Sequence, residues 1–490
     1  MAFGQKARRC RVDAGTQVEC AMRKTLMLLF AATVSTSLLA QSKEPNWTQM
    51  DAETLKHFQA IIKMDTTDPP GGEKPVVEYL KQVLEAEGIP VQLYAKEAHR
   101  PNLVARLKGT GKQRPLLLMG HTDTVNVDPK KWSHPPFSAD REGGYVYGRG
   151  TVDDKDNVVS TLMIMLTLKR LNVPLDRDVI ALFEAGEEGS SSLGIQFMAN
   201  EHFDAIDAEF CYAEGGSVTR TGGVVKFASI QTVEKIPRAI TVTSRGVAGH
   251  GSVPLEDNAL AHLGEAVGKI AAWTPPMRIN ETTAAYFKRL ASVSSPEEAK
   301  RYQALLSPDP KVSGPANDYM RKNEPRHWSM LRTSLSPTII GGGYRTNVIP
   351  SEGTATIDTR LAPDEDPAKF LELVKQVVND PQVEVSYGAR DTRPSTPVAK
   401  LDSDAFKALE ANITKHYKAV TLPTMSTGAT DMAFLRRKGM QCYGIGPATD
   451  SEDGPKGFGA HSDQERILES ELYRFVRFNW DAVVDLARAK

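Results

Sequence analysis

Four short apolar runs, each followed directly by polar residues, constrain the fold more than any other feature of this sequence. The runs are PLLLMG (115–120), DVIALFEAG (178–186), AEFCYA (208–213) and MQCYGIG (440–446). Amphipathic helical patterns separate them, and strands that alternate with helices are typical of a mostly parallel sheet covered by helices. We therefore predict an α/β fold in which the polar residues that end these runs meet at the carboxyl edge of one sheet.

A second pattern begins near Ile236 and interrupts the first. It predicts a strand from 236, a helix at 258–273, two strands, a helix at 367–378 and a final strand, which is the element order of a small α+β ferredoxin-like unit. The stretch 275–336 is richer in Pro, Ser and charge, and it favours an irregular or helical insertion. The sequence thus predicts a larger domain at 46–235 and 390–490, interrupted by a smaller domain at 236–389.

Residues 1–45 are predicted to be an N-terminal extension and a signal peptide rather than part of the fold. From Met22 the chain reads MRKTLMLLFAATVSTSLLAQ, with a basic pair, a short apolar run and small residues, as in secretory signals. We expect an exported, periplasmic or secreted protein whose start is Met1 or Met22. Cleavage near Ala40 is favoured because the run is short for a membrane span, but Leu38 fits the small-residue rule poorly, so an uncleaved anchor stays open.

Charge and cysteine content narrow the classes of partner. The formal net charge is -1 over 490 residues, with both signs mixed, so the chain lacks the basic character typical of nucleic-acid binding. We expect a small-molecule or peptide partner, no nucleic acid, and no membrane contact beyond the N-terminal segment. Cys211 and Cys442 lie in apolar runs without metal-site spacing, so we predict buried thiols.

The residues that follow the apolar runs are those of a metal centre. GHTDTV places His121 and Asp123 two apart, on one face of an extended chain, where a carboxylate can orient a ligating imidazole. GEEGSSS holds the adjacent Glu187 and Glu188, and the other two runs lead to Glu214 in YAEGGS and to GAHSDQE. Each motif alone fits a surface loop or a helix cap, but together they indicate zinc, with Mn²⁺ or Co²⁺ as substitutes, rather than an all-oxygen calcium site.

The stretch GRGTVDDKD (148–156) has two interpretations. Its acids could simply favour the start of the helix that follows. Alternatively, a carboxylate on this glycine-turned loop could bridge two cations, because the glycines allow a close approach.

The motifs GHTDTV, GRGTVDDKD, GEEGSSS, EGG, GHGS, TNVIPSE and GAHSDQE occur in this order along nearly the whole chain after residue 45. This series resembles the M20 (M20/M25/M40) family of metallopeptidases and amidohydrolases, which includes carboxypeptidases, aminoacylases and desuccinylases. The long insertion, Asp156 and PPMRINET are similar to the carboxypeptidase S and N-acyl amino acid hydrolase branch. The resemblance implies a di-zinc α/β catalytic domain that is interrupted by a ferredoxin-like lid and dimerisation domain.

The resemblance also implies roles for individual residues. Two Zn²⁺ per chain would be held by His121, Asp153, Glu188, Glu214 and His461, with Asp153 as the bridge. In this family the peptide bond that matches the one between Asp153 and Asp154 is often cis, so the resemblance implies a cis bond here. Glu187 is implied as the general base and Asp123 as the carboxylate that orients His121.

In the lid, the resemblance implies a set of substrate-binding residues. His250 would steady the carbonyl oxygen, often by reaching across a dimer, while Asn347 and Arg360 would hold a substrate carboxylate and Gly428 would line the pocket. A guanidinium suits that carboxylate because its fork of N–H groups matches two oxygens.

The predicted function is that of an exported zinc hydrolase which cleaves an amide bond beside a free carboxylate in a peptide or an N-acyl amino acid. The resemblance implies attack by a metal-bound hydroxide, with Glu187 as the base. The alternatives are a dipeptidase of the same fold and a non-catalytic metal- or peptide-binding protein. A phosphoesterase is disfavoured because the sequence shows no basic phosphate clamp. Either a homodimer forms through the lid, or the long insertion covers the site within one chain.

Overall fold

The computed structural model describes residues 1, 44–388 and 393–489. The predicted signal segment between Met22 and Ala40 lies outside these residues, as does the predicted domain boundary near 390. The chain divides into two compact units, Met1–Asn46 and Trp47–Lys490, and the second contains the helices and strands of the described residues. The further division into a catalytic and a lid domain stays a prediction.

The helices and strands of this unit follow the predicted alternation. The helices are α1 (Trp47–Ile62), α2 (Lys74–Ala86), α3 (Lys155–Arg170), α4 (Ile195–Glu201), α5 (Phe203–Ile206), α6 (Ala259–Ala272), α7 (Glu281–Ala291), α8 (Pro296–Leu305), α9 (Pro310–Asn323), α10 (Pro325–Met330), α11 (Pro367–Val378), α12 (Asp404–Tyr417), α13 (Met432–Arg437) and α14 (Glu469–Ala487). None of the helices in the described residues is both long and apolar enough to cross a membrane.

Among the described residues, the strands form two main sheets and two small ribbons. They are β1 (Val91–Tyr94), β2 (Asn102–Leu107), β3 (Leu116–His121), β4 (Arg141–Glu142), β5 (Tyr145–Tyr147), β6 (Val179–Glu184), β7 (Phe210–Ala213), β8 (Ser217–Thr221), β9 (Val224–Glu234), β10 (Ile236–Arg245), β11 (Gly249–His250), β12 (Ser334–Gly342), β13 (Val348–Ile349), β14 (Glu352–Leu361), β15 (Val383–Tyr387), β16 (Val420–Ser426), β17 (Gln441–Gly444), β18 (Ala448–Asp450) and β19 (Arg466–Leu468).

The larger sheet runs in the order β1-β2-β6-β3-β7-β17-β9-β8-β18, with β16 paired to β9. Its centre, β6-β3-β7-β17, is parallel, while β1 and β2 at one edge are antiparallel. The central strands are the four apolar runs, and they end at the same edge of the sheet. This confirms the predicted α/β fold with a mostly parallel sheet.

Both faces of this sheet are covered, which explains why its central strands are continuously apolar. Along β3, Leu116 and Leu118 belong to the core beneath α3, whereas Leu117 and Met119 belong to the core beneath α4 and α13. Helix α3 is buried over nearly its whole length, as expected for a helix with apolar residues on all sides. The start of this helix is therefore fixed beside the sheet edge.

The smaller sheet has the order β12-β14-β10-β15 and is antiparallel throughout. Strands β10 and β14 pair over ten residues, from Ile236 opposite Leu361 to Arg245 opposite Glu352. Apolar residues of α6 and α11, including Leu263 and Phe370, cover one face. The element order is the predicted ferredoxin-like one, while the role of this sheet as a lid stays a prediction.

The segment predicted as an irregular or helical insertion is helical and forms α7 to α10. Capping boxes at Asn280 and Ser295 begin α7 and α8 and satisfy backbone N–H groups there. Although the segment lies in sequence between strands of the smaller sheet, its apolar core includes Val233, Leu422 and Met425 of β9 and β16. It therefore packs on the larger sheet.

The two cysteines outside the N-terminal extension are buried and free, as predicted. Cys211 on β7 lies opposite Cys442 on the neighbouring parallel strand β17. Both side chains belong to one apolar core, so they act there as small hydrophobic residues.

Candidate metal centre

The sheet topology brings the predicted ligands to one place. Strand β3 ends at His121, Glu214 directly follows β7, and the turn after β6 carries Glu188. Asp153 precedes α3, and His461 lies in the loop before β19. Because parallel strands present their carboxyl ends at one edge, residues that are far apart in sequence meet there.

The first ligand group consists of His121, Asp153 and Glu214, whose donor atoms lie within 4.8 Å of one another. His121 Nε2 is 3.1 Å from Asp153 Oδ1. The imidazole is buried, while the two carboxylates are partly open to the pocket. One nitrogen and two oxygens thus converge on a single point.

The second group consists of Asp153, Glu188 and His461, with donor atoms inside the same 4.8 Å limit. His461 Nε2 is 3.0 Å from Asp153 Oδ2 and 3.0 Å from Glu188 Oε1. Asp153 therefore belongs to both groups and directs one carboxylate oxygen toward each histidine. That is the geometry expected of a bridging carboxylate.

The donor set fits a pair of divalent cations. Each group offers one imidazole and two carboxylates, a mixed nitrogen and oxygen set that suits zinc. The bond between Asp153 and Asp154 is cis. All five ligands named from the sequence are brought together, and among the described residues these are the groups with the spacing to hold a metal.

Asp123 lies beneath the site and has two sets of contacts. Its Oδ1 is 3.6 Å from His121 Nδ1, and its backbone carbonyl is 3.1 Å from the same nitrogen. Its carboxylate also accepts hydrogen bonds from the backbone N–H groups of Glu187 (3.2 Å) and Glu188 (3.0 Å). The sequence predicted the first contact but not the second, through which Asp123 fixes the loop that carries both glutamates.

Asp154 is a further buried support that the sequence did not assign. Its Oδ2 accepts a hydrogen bond from the backbone N–H of His121 at 3.2 Å, and its Oδ1 accepts one from Asn157. Burial raises the pKa of Asp154 to about 7, with the nearby Asp153 adding to the effect. Asp154 thus links the start of α3 to the end of β3.

Burial and contacts between charged groups change the proton affinity of the site. Burial raises the pKa of Glu187 to about 7, although Arg393 opposes the shift. Burial also raises the pKa of Glu214, and the neighbouring Glu187 adds to it. Hydrogen bonds to Asp153 and Glu188 raise the pKa of His461 to about 10. Protons therefore offset part of the negative charge that cations would otherwise balance.

A polar pocket of about 290 Å³ opens over both ligand groups. It is lined by Asp153, Glu187, Glu188, Glu214, Pro237, Arg360, Arg393, Ala429 and His461. Residues of both sheets thus share one cavity, because Pro237 and Arg360 belong to β10 and β14 of the smaller sheet.

Arg393 is the charged pocket residue that sequence reasoning missed. Its Nη2 lies 3.1 Å from Glu187 Oε1 and 3.5 Å from Oδ1 of the buried Asp431. It follows β15 in the sequence, and only its positive charge in the run RDTR could have drawn attention to it. The structure places it directly beside the predicted base.

The predicted lid residues divide into two sets. Arg360 lies in the pocket, and its guanidinium donates to Asp358 at 2.8 Å from Nε. His250 ends β11, opposite Val348 of β13, and Asn347 directly precedes β13. His250 is exposed, and its Nδ1 accepts a hydrogen bond from the Ser252 N–H at 3.1 Å. Among the described residues, neither these two nor the exposed Gly428 lines the pocket, although Ala429 does.

Comparisons with known proteins agree with this geometry. The model of peptidase family M20/M25/M40 matches residues 117–483. A probable carboxypeptidase S-like 2 of Dictyostelium discoideum is 30% identical over 340 residues, which cover 67% of this chain and 64% of that protein. An N-fatty-acyl-amino acid synthase/hydrolase of Xenopus tropicalis is 29% identical over 375 residues, covering 74% and 71% of the two chains. The match thus spans less than two thirds of the first relative.

Among solved structures, an M20 family metallo-carboxypeptidase from Sulfolobus solfataricus has the same fold. The two chains align with a TM-score of 0.65 at 21% identity, covering 88% of this chain and 98% of the other. At this identity the likeness concerns the fold alone.

Proposed function

The chain belongs to peptidase family M20/M25/M40, and on that premise we propose that it hydrolyses an amide bond beside a free carboxylate in a peptide or an N-acyl amino acid. That it is a hydrolytic enzyme of the peptidase and aminoacylase type follows from the family. The finer proposal is carried by one observation: Asp153 joins two ligand groups in a pocket that also holds Glu187 and Arg360.

We assign two cations to the two groups, with zinc as the preferred metal and Mn²⁺ or Co²⁺ as substitutes. His121 and Glu214 would hold one, Glu188 and His461 the other, and Asp153 would bridge them. When bound, the metals would supply Lewis acidity that polarises the amide carbonyl and makes a water molecule more acidic.

Glu187 is the residue we assign to proton transfer. It belongs to neither ligand group in the described residues, yet it is adjacent to Glu188 in sequence and faces the same pocket. The hydrogen bond from its N–H to Asp123 fixes its backbone, and the contact with Arg393 restrains its carboxylate. From this position Glu187 can take a proton from the attacking water and return it to the leaving amine.

Arg360 supports a substrate that carries a free carboxylate. Its guanidinium is held by Asp358 and faces the pocket from the smaller sheet, opposite the ligand groups of the larger sheet. A carboxylate bound there would leave the adjacent amide directed at the metals. A dipeptide also carries such a carboxylate, but the names of the relatives, a carboxypeptidase S-like protein and an N-fatty-acyl-amino acid synthase/hydrolase, favour a longer peptide or an N-acyl amino acid.

Replacing Arg360 by Met is expected to raise KM for an N-acyl amino acid by roughly 10- to 100-fold, since a hydrogen bond to a charged group contributes about 1.5–3 kcal/mol. Products from a mixture of N-acyl amino acids, dipeptides and their carboxyl-amidated counterparts would be measured by mass spectrometry. The wild-type protein should prefer the free carboxylate, and Arg360→Met should lose that preference.

Arg245→Met is the matched control, because Arg245 lies on β10 of the same sheet but is exposed and pairs with Glu384. Equal behaviour of the two variants would show that Arg360 does not bind the carboxylate. Turnover of dipeptides alone would favour the dipeptidase alternative. Binding of substrate without turnover by the zinc-loaded protein would favour the non-catalytic one.

We also propose export and dimerisation. Export is supported by the signal-like segment that follows Met22. A homodimer through the smaller sheet is supported by its edge strand β12, on which Ile339 and Ile340 are each 64% exposed, with Tyr344 nearby at 84%. An exposed apolar edge strand is a ready surface for pairing with a second chain. In such a dimer His250 of one chain would complete the pocket of the other.

Mixing the variants Glu187→Gln and His250→Ala tests this arrangement. If His250 acts across the dimer, a mixed dimer regains one intact site, and equal mixing should restore about a quarter of wild-type turnover. Each variant alone should be strongly impaired. Chromatography would report the dimer, and a mixture no more active than its components would show that His250 does not act in the partner's site.

A further inference from the structure

Two loops that carry metal ligands lack the support of regular structure. Asp153 follows the loop 148–152, and His461 begins the loop 461–465. The His461 side chain is 55% exposed, and its backbone has a φ of 59°, in the left-handed region that non-glycine residues rarely adopt. Packing of His461 itself therefore does not fix its position, and other contacts must do so.

A buried ion pair connects these loops. Arg149 Nη1 donates to Glu465 Oε2 at 2.7 Å, and the two side chains are only 3% and 0% exposed. The Glu465 carboxylate also accepts hydrogen bonds from the backbone N–H groups of Gly150 (3.2 Å) and Val152 (2.8 Å), the latter directly before Asp153. Glu465 thus holds the loop that carries the bridging ligand.

The connection also runs in the opposite direction. Arg149 Nη2 donates to the backbone carbonyl of Ser462 at 2.7 Å, directly after His461. The backbone N–H of Gly148 donates to the carbonyl of Glu465 at 3.0 Å. The guanidinium lies 5.2 Å from the centre of the Trp132 ring, which covers it. Each loop therefore holds the other through a charged side chain.

The burial of such a pair is by itself weak evidence for a gain in stability. Removing two charges from water is costly, and apolar residues of similar volume often serve stability as well or better. Metal binding, in contrast, needs ligand distances held to about 0.2 Å. The second ligand group depends on both loops through Asp153 and His461. The first group shares only Asp153 with them, and its other two ligands are fixed by the sheet, with His121 at the end of β3 and Glu214 directly after β7.

We propose that Arg149 and Glu465 are positioning residues that hold Asp153 and His461 in register and thereby set the affinity of the second metal group. The inference rests on the proposed function in one respect, namely that the protein binds two cations. Arg149 and Glu465 then change the affinity for the cation at the second ligand group and leave the affinity at the first group nearly unchanged.

The variant Glu465→Gln tests the inference because it removes the charge and keeps the shape. Zinc binding would be measured by competition with a chelator of known affinity, and Co²⁺ absorption spectra would report the geometry at each group. We expect the cation at the first ligand group, formed by His121, Asp153 and Glu214, to bind nearly as in the wild-type protein. The cation at the second ligand group should bind about 10- to 100-fold more weakly, which is the usual effect of removing a residue that orients a metal ligand.

Glu73→Gln is the matched control. Glu73 forms an ion pair with Arg100 in which the two side chains are 0% and 3% exposed, the same burial as in the tested pair. Its carboxylate contacts Arg100 and the Gly72 N–H rather than either ligand loop. This variant should be less stable than the wild-type protein but should keep both cation affinities.

A second variant, Arg149→Lys, retains the charge but cannot reach Glu465 and the Ser462 carbonyl together. It should weaken the second cation selectively, by less than Glu465→Gln, and it covers the case in which that variant does not fold. Unchanged binding of both cations, or equal weakening of both, in the folded variants would overturn the inference while leaving the proposed function intact. A wild-type protein that binds fewer than two cations would contradict the proposed function itself, and the inference with it.

Discussion

Replacing Glu187 by Gln is expected to lower kcat by about 10²- to 10⁴-fold, which is the usual contribution of a positioned general acid or base. Glutamine keeps the size of the side chain and can accept the hydrogen bond that Arg393 donates to Oε1 at 3.1 Å. It cannot accept a proton from water. Because Glu187 lies in neither ligand group, bound metal should stay at the wild-type level.

The neighbouring Glu188→Gln is the control for this experiment. It makes the same chemical change one residue away, but Glu188 Oε1 lies 3.0 Å from His461 Nε2 within the second ligand group. This variant should lose metal and activity together. Metal content and kcat should be measured on the same samples. If Glu187→Gln kept most of its turnover, or lost its metal, Glu187 would not be the base.

The sequence was informative about the larger sheet because its signals are local and redundant. The four runs are continuously apolar, as in strands that are buried on both faces. The polar residues after them can therefore meet only at the edge where parallel strands end. His121, Glu188 and Glu214 could therefore be placed together without coordinates. The α/β fold and the family are confirmed, whereas the roles assigned to individual site residues stay predictions.

The features that sequence reasoning missed depend on contacts between distant segments. Arg393 reaches Glu187 across 206 positions, and Arg149 reaches Glu465 across 316. No local pattern shows which of the many charged residues will be buried in such a pair. The packing of the helical insertion on β9 and β16 has the same origin, because the connection order alone assigns that segment to the smaller sheet.

Removing the cations with a chelator is expected to abolish turnover, and the protein should then rebind zinc more tightly as the pH rises. In the metal-free protein, hydrogen bonds to Asp153 and Glu188 raise the pKa of His461 from 6.5 to about 10, so this imidazole is protonated at pH 7. Burial likewise raises the pKa of Glu214 above the usual range of a carboxyl group. A cation at the second ligand group needs the His461 imidazole deprotonated, so binding at pH 7 must release a proton.

The sign of the pH dependence follows from this release. Each proton released makes the zinc affinity rise by about tenfold per pH unit below the pKa of the group, so the rise should continue through neutral pH toward 10. The stability of the metal-free protein should change in the opposite sense. The ion pairs of His461 contribute fully below pH 6.5 and are lost as the pH rises through about 10. The gain in melting temperature on adding zinc should therefore increase with pH.

Calorimetric titration of zinc at pH 7 in two buffers of different ionisation enthalpy measures the protons released. The variant His461→Ala should release fewer protons and bind the second cation weakly, because it removes the half-exposed imidazole of that group. His134→Ala is a suitable control, since His134 pairs with Asp140 and Glu142 and lies in neither group. Binding that releases no protons and does not vary with pH would mean that zinc is held elsewhere, and would remove the basis for assigning the two ligand groups.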